Sequence, residues 1–297
     1  MAETKTAFIS IVGKPNVGKS SILNRLLGQK VAIVSNRPQT TRTKIMGVLT
    51  DGAYQLVFTD TPGFHKPMSK LGEKMLQAVD DSISGGDACL FVTESRGEVR
   101  PEELTLLQKL RTEQIPVVLA VNKTDTVPDK TDLLARITAF AGLLDFAAVV
   151  PVSAKDGSGL NELLDELKAL CVPSPFFFPE DALTDQPERV LAAERIREKL
   201  LIRLNDEIPH GVAVTVERMQ QRGDLLDIDA TVYCEKENHK GIIIGKGGAM
   251  LKAVSTDARR DLERLFDSRV NLRCWVKVKE DWRNREGLLR DFGLDGQ

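Results

Sequence analysis

Gly13-Lys14-Pro15-Asn16-Val17-Gly18-Lys19-Ser20 decides how the first half of the chain is read. The segment fits GxxxxGK[ST]. It follows an apolar run, Phe8 to Val12, and leads into Lys19 to Leu27, where Ile22, Leu23, Leu26 and Leu27 have helical spacing. Strand, glycine-rich turn and helix in that order make a phosphate cradle. Backbone N–H groups turn inward around a β-phosphate, Lys19 brings a point charge to the β- and γ-phosphates, and the Ser20 hydroxyl is available to magnesium. Gly13, Asn16, Val17, Gly18, Lys19, Ser20 and Ser21 are the expected binding residues.

Three further segments follow at matching intervals. Asp60-Thr61-Pro62-Gly63 ends the strand expected over Tyr54 to Asp60. Its Asp60 carboxylate is placed to reach a magnesium shell through water, and the Gly63 N–H to meet the γ-phosphate. Asn122-Lys123-Thr124-Asp125 closes the run Val117 to Val121. There Asp125 can accept the two neighbouring N–H groups of guanine, a fork that adenine does not offer, while Asn122 braces loops and the Lys123 stem lies along the purine. Ser153-Ala154-Lys155 follows the last strand, where backbone amides can meet the guanine oxygen. Each of the last three is weak alone; their order behind the GxxxxGKS segment makes the set specific.

Outward from these segments, strands are expected over Ala88 to Thr93 and Ala147 to Ser153. Helices are expected over Leu71 to Ser84, Pro101 to Arg111, Thr131 to Leu144 and Asn161 to Leu170. The alternation predicts an α/β fold, a mostly parallel sheet with helices on both faces and ligands at the strands' C-terminal ends. Residues 31 to 50 are weakly patterned, so an ordered segment is not expected there without nucleotide. Cys171 to Pro187 carries prolines at 173, 175, 179 and 187 and reads as an extended connector, with Phe176, Phe177 and Phe178 packing onto a domain. The expected division is 1–172, a linker 173–187, and 188–297.

The remainder predicts a smaller α+β domain: helix Glu188 to Asn205, strands Gly211 to Arg218 and Leu225 to Cys234, helix Gly247 to Phe266, strand Val270 to Lys279. Before its long helix lie the apolar segment Ile242 to Ile244 and Gly245-Lys246-Gly247-Gly248, a GxxG turn through which backbone can approach a sugar-phosphate strand. Ile244, Gly245, Lys246, Gly247, Gly248 and Lys252 are the candidate RNA contacts. Lys240, Arg259, Arg260 and Lys277 or Lys279 flank the same groove, with Ile242 to Ile244 as its floor. Arg264, Arg269 and Arg273 read as a solvated face, Trp275 as core and Trp282 as a residue able to stack a base. His65 reads as a solvated loop residue.

The 297 residues, 42% apolar and 28% charged, exclude a largely disordered or fibrous chain. No apolar run approaches the roughly 20 residues of a membrane span, the N-terminus shows no export signal, and four scattered cysteines fit neither a zinc site nor a disulfide scaffold. The cytoplasm is the expected compartment. Net charge is −2, yet thirteen Lys or Arg stand against seven Asp or Glu between Lys236 and Arg285. A basic patch lies there.

GKPNVGKS, DTPG, NKTD and SAK in this order resemble the translation-factor-related GTPases. The second part has the element order of a type II KH module, an RNA-binding fold. Together with the segment Val276-Lys277-Val278-Lys279-Glu280-Asp281-Trp282-Arg283, the combination resembles the Era family of bacterial GTPases over almost the whole chain. The resemblance implies a GTPase using GTP/GDP and Mg2+, with Lys19, Thr41 and Gly63 catalytic and with Ser20, Thr41 and, through water, Asp60 at the metal. Thr41 is favoured over Thr40 for the switch threonine. Asn16 is similar to a loop asparagine that holds potassium in some relatives. Phe64 stands where Ras-like enzymes carry a water-orienting glutamine, so intrinsic turnover should be slow. The implied partners are the 3′ end of 16S rRNA and the 30S subunit, whose maturation the family assists, with peripheral association at the membrane and a monomeric state. Two alternatives stay open: an RNA-binding scaffold with negligible turnover, and a membrane-associated trafficking GTPase.

Overall fold

The computed structural model describes residues 3–127 and 129–295. At its centre β1 (Lys5–Val12) is buried over its last four residues and runs between β3 (Tyr54–Asp60) and β4 (Ala88–Glu94), parallel to both. The sheet continues through β5 (Val117–Asn122) to β6 (Ala148–Pro151) on one side and ends at β2 (Ile45–Asp51) on the other. β2 is antiparallel to β3, and the two-residue β7 (Val172–Pro173) is antiparallel to the start of β1. Helices cover both faces, as the near-continuous apolar strands require. On one face α1 (Lys19–Leu26) and α5 (Leu160–Ala169) bring Ile22, Leu23, Leu163 and Leu167 against Ile9, Ile11 and Phe58. On the other, α2 (Lys70–Ser84), α3 (Pro101–Glu113) and α4 (Lys130–Ala141) bring Val79, Leu106 and Phe140 against Phe91 and Leu119. Local chemistry starts these helices: the Gly72 N–H bonds Ser69 Oγ at 3.2 Å, and α3 opens on Pro101 with Glu103 accepting the Arg100 N–H at 2.8 Å. The order of strands reverses at β1, so the crevice beyond Val12 is where an α/β sheet binds ligands.

The segment from Ser174 to Pro187 is irregular and is tied down along the first sheet. Gln55 Oε1 accepts the N–H groups of Phe177 and Phe178 at 2.8 and 3.0 Å, the Val48 N–H meets Leu183 O at 2.9 Å, and Phe177 packs edge-on to Phe8 with ring centroids 5.1 Å apart. Beyond it, α6 (Glu188–Arg203) and α8 (Ala249–Phe266) pack on a three-stranded sheet, β10 (Arg269–Val278), β9 (Leu225–Cys234) and β8 (Ala213–Arg222), with β10 parallel and β8 antiparallel to β9. In the second unit two elements differ from the sequence expectation. Ile242 to Ile244 are the end of a helix, α7 (Glu237–Ile244), and a short α9 (Glu286–Asp291) closes the chain. Among the described residues no helix is long and apolar enough to cross a membrane.

The two units share a core. Leu71 and Met75 of α2 pack with Ala213, Tyr233, Leu289 and the fully buried Trp282. Trp282 donates Nε1–H to Gly211 O at 2.9 Å, so it is unavailable to stack a base; Trp275 is 47% exposed on the outer face of β10, so it is not core. Both tryptophan expectations are corrected by this interface and by the period of two along β10.

Candidate functional site

Four loops at the C-terminal ends of β1, β3, β5 and β6 surround one cavity of about 610 Å³. At its phosphate end three oxygens converge. Ser20 Oγ donates to Asp60 Oδ2 at 2.5 Å, lies 3.1 Å from Thr41 Oγ1, and Thr41 Oγ1 reaches the same Asp60 oxygen at 3.3 Å. Asp60 is fully buried and its Oδ1 has no hydrogen-bond partner. Lys19 is also buried, its ammonium donating to Gly13 O at 3.1 Å and Lys14 O at 3.0 Å. Burial lowers the Lys19 pKa to about 8 against the attraction of Asp60, and raises the Asp60 carboxyl despite Lys19, Ser20 and Thr41. Desolvation thus outweighs the mutual attraction, and a set of hard oxygens around an unpartnered buried carboxylate atom fits a small divalent cation such as Mg2+.

Residues 31 to 44 lack regular structure but are packed, and 45 to 51 form β2. Val31, Ala32, Ile33, Thr41 and Arg42 are buried. Asn24 Oδ1 caps Val31 and Ala32 N–H at 2.8 and 2.9 Å, Glu198 Oε1 accepts the Val34 N–H at 2.9 Å, and Arg197 donates to Thr40 O. Glu198 and Arg197 are more than 150 residues away, and Asn24 reaches over from α1, so no pattern within the segment reports them.

Gly63 lies against the first loop: a Cβ there would fall 2.7 Å from the Pro15 backbone. The next N–H, of Phe64, donates to Gly13 O at 3.1 Å while the ring sits in the core. His65 is held, not loose, with Nδ1 2.7 Å from Gly63 O and Nε2 3.3 Å from the Gln39 amide. Asn16 has a left-handed backbone, φ 64°, and donates to Asn36 O at 3.1 Å.

The base end is braced by Asn122, whose Nδ2 donates to Val17 O at 2.8 Å and whose Oδ1 accepts the Ala154 N–H at 3.1 Å. Ser153 Oγ donates to Asp125 Oδ1 at 3.0 Å, Lys155 Nζ lies 3.3 Å from Asp125 Oδ2, and Lys123 ends on Glu94. Gly18, Ser21 and Ala154 also line the cavity. Sequence reasoning missed Arg25, which from the last turn of α1 donates Nε to Ala154 O at 2.8 Å and a second N–H to Lys155 O. Its side chain crosses between segments 129 residues apart.

The GxxG turn is at the other unit's surface. Gly245, Gly247 and Gly248 have positive φ, and a 3₁₀ turn, Lys246–Gly248, precedes α8. Lys246, Gly247 and Lys252 are exposed, and among the described residues neither lysine has a carboxylate within 4.0 Å. Ile244 is half-buried, but Ile243 is fully buried in the core and so is not groove floor. Arg259 is spent on Glu263 at 3.3 Å, whereas Arg264, Arg269 and Arg273 pair with Asp261, Asp224 and Asp229 as a solvated face does.

The family model described as "50S ribosome-binding GTPase" matches residues 8–123, and a KH domain model matches residues 207–283. GTPase Era of Ruminiclostridium cellulolyticum is 48% identical over 97% of this chain and 97% of its own, and GTPase Era of Clostridioides difficile is 46% identical over 98% and 99%. Two solved Era structures, each 35% identical with TM-score 0.95, cover 98% of this chain and 99% of theirs. One is an Aquifex aeolicus variant bound to GDP.AlF4−, the other Era with MgGDPNP and nucleotides 1506–1542 of 16S ribosomal RNA. The GTPase loops, the KH order of elements and full-length identity agree: this chain belongs to the Era family of GTPases.

Proposed function

We propose that the chain is a GTP-hydrolysing switch that engages small-subunit rRNA near its 3′ end through the GxxG surface and assists maturation of the 30S subunit. The observation that carries the hydrolytic part is the meeting of Ser20, Thr41 and Asp60 at one end of the cavity whose other end holds Asp125. Ser20 and Thr41 would hold Mg2+ directly and Asp60 through water; the ion, when bound, supplies neutralisation of phosphate charge. Lys19 holds the β- and γ-phosphates, the Gly63 N–H meets the γ-phosphate, and Gly13 to Ser21 wrap the phosphates with their backbone. Asp125 selects guanine while Asn122, Lys123, Ser153, Ala154 and Lys155 shape its slot. Water attacks to give GDP and phosphate, slowly, because Phe64 cannot orient it by hydrogen bonding. Asn16 is the candidate potassium ligand.

The small-subunit reading is supported by the relative crystallised with 16S nucleotides, and by the open turn at Gly245 to Gly248 with Ile244, Lys246 and Lys252 beside it. We divide the chain into a nucleotide-binding domain, 1–172, a linker, 173–187, and an RNA-binding domain, 188–297, acting as a cytoplasmic monomer; any contact with the inner face of the membrane would be peripheral. The test measures phosphate release with and without 30S particles, together with binding of a labelled 16S 3′-end oligonucleotide in GTP-analogue, GDP and nucleotide-free states at two salt concentrations. RNA binding that depends on nucleotide and on Gly247 is expected. Indifference to both removes the RNA arm of the proposal, and phosphate release near zero in every condition leaves a scaffold.

A further inference from the structure

Phe64 stands at the position from which Ras-like enzymes present a water-orienting glutamine, and its ring is in the core. A glutamine nevertheless borders the nucleotide cavity from the facing segment. Gln39 comes two residues before Thr41, and Gln39, Thr40, Thr41 and Gly63 line the cavity together. The Gln39 backbone is left-handed, φ 59°, a conformation that long side chains rarely adopt. The turn that imposes it is fixed from both sides: Thr40 Oγ1 donates to Arg37 O at 2.6 Å and lies 2.7 Å from Ser35 Oγ, and Thr40 O accepts from Arg197.

The Gln39 amide is held as well, and the chemistry of its partner dictates which way round it sits. Gly63 O can only accept, so His65 Nδ1, 2.7 Å away, is the protonated nitrogen. In the neutral ring Nε2 is then an acceptor, and Gln39 Nε2–H donates to it at 3.3 Å. Gln39 Oε1 is left as an acceptor with no partner among the described residues. A water whose oxygen faces phosphorus must direct its hydrogens at such acceptors. The other amides around the cavity are placed differently: Asn122 is committed to Val17 O and the Ala154 N–H, Asn16 donates to Asn36 O, and Asn36 is exposed.

Given GTP hydrolysis in this cavity, we propose that Gln39 is the residue that orients the attacking water, with His65 as its positioning residue. The water oxygen bonds the γ-phosphorus, the bond from phosphorus to the β–γ bridging oxygen breaks with its electron pair going to GDP, and the water's proton ends on the released phosphate. Gln39 Oε1 accepts a hydrogen bond from that water and takes no proton. Orientation without proton transfer accords with a slow intrinsic rate.

The test uses the full chain with MgGTP under single-turnover conditions and compares wild type with Gln39→Asn, His65→Asn, His65→Gln and the double variant Gln39→Asn, His65→Asn. Asparagine adopts the left-handed backbone readily, so Gln39→Asn should keep the wild-type melting temperature while withdrawing the amide by one methylene. Phosphate release should fall roughly tenfold, with affinity for a non-hydrolysable GTP analogue within about twofold of wild type. His65→Asn keeps a donor for Gly63 O but offers Gln39 no acceptor, and should lose a similar factor; His65→Gln restores an acceptor and should recover part of it. Because both residues act through one water, the double variant should be no slower than the slower single. Release within about twofold of wild type in Gln39→Asn, a loss of analogue affinity as large as the loss of rate, or losses that multiply in the double variant overturns the assignment. Wild type that releases no phosphate overturns instead the hydrolytic reading itself, and the assignment with it.

Discussion

The two glycine-rich turns of this protein are built on opposite principles. The loop Gly13 to Ser20 is held from three sides: Lys19 folds back onto Gly13 O and Lys14 O, the Phe64 N–H takes a second hold on Gly13 O, and Asn122 grips Val17 O. The turn Gly245 to Gly248 has an open surface, and a Cβ at Gly247 or Gly248 would meet nothing within 4 Å. A cradle that stabilises charge during a reaction must be rigid before the substrate arrives. A platform for a strand needs only close approach and a favourable field. Substitutions in the first should therefore change chemistry by orders of magnitude, and in the second change affinity modestly.

The largest effect is expected at Lys19. Lys19→Ala removes the one buried ammonium beside Asp60, and by analogy with loss of a single charge-stabilising donor should slow GTP hydrolysis by about 10²–10³-fold. Single-turnover phosphate release at saturating GTP measures this, and a loss below about tenfold would contradict the pre-built cradle. Next comes the base end. Asp125→Asn exchanges a charged acceptor for a neutral amide. That should weaken GTP by about 10–100-fold, the equivalent of a charge-assisted hydrogen bond, and shift preference toward xanthine nucleotides. Competition between GTP and XTP reads it directly; unchanged GTP affinity removes Asp125 from base recognition.

The GxxG turn itself contains a smaller contrast. Gly245 has φ 74° and ψ 171°, a region open almost only to glycine, and a Cβ there would lie 2.8 Å from Met250 Cβ and 2.9 Å from its backbone N. Gly245→Ala should cost about 1–3 kcal/mol of stability, visible as a lower melting temperature. Gly247 has φ 60° and ψ 23°, which Asp tolerates, with open space around it. Gly247→Asp should leave melting within about 1 kcal/mol of wild type and weaken the 16S oligonucleotide roughly tenfold by placing a carboxylate against the phosphate backbone. Equal loss of stability in both variants would erase the distinction between a wedge glycine and an approach glycine.

What was legible in the sequence follows the range of the interactions. Lys19, Ser20 and Gly63 sit on local motifs, and the structure brings Asn122, Asp125 and Ala154 to the same crevice, with Ser153 behind Asp125, because strand ends in a parallel sheet are forced together. The packing of 31 to 44 was illegible, since Asn24, Arg197 and Glu198 hold it from other elements. Ile242 to Ile244 read as a plain apolar run because three isoleucines conceal a helical end, of which only Ile243 enters the core. The exposure of Trp275 is legible in the alternation: Arg269, Asn271, Arg273 and Lys277 share its face of β10, and all are exposed. The burial of Trp282 is not legible locally, because the surface that covers it joins α2, some two hundred residues earlier, to Ala213, Tyr233 and Leu289.

Phe64 provides the smallest expected change in rate and the most specific check on rigidity in the first loop. The ring occupies the position where a glutamine would orient water in Ras-like relatives, and on chemical grounds alone Phe64→Gln should accelerate hydrolysis. The geometry says otherwise. The side chain is 7% exposed and packed in the cluster with Val79, Ile83 and Leu106, under Lys109, whose Nζ lies 5.3 Å from the ring centre. Its backbone is anchored by the bond from Phe64 N–H to Gly13 O, and the ring is packed into the apolar cluster away from the residues that line the cavity. A glutamine there would place an amide among apolar side chains, which costs about 1–3 kcal/mol when left unpaired. The expected result is a lower melting temperature with single-turnover hydrolysis within about a factor of two of wild type, a change under 0.5 kcal/mol in the barrier. A rise of tenfold or more would mean that the segment after Gly63 repacks readily, and that the cradle is assembled by its ligand instead of standing ready for it.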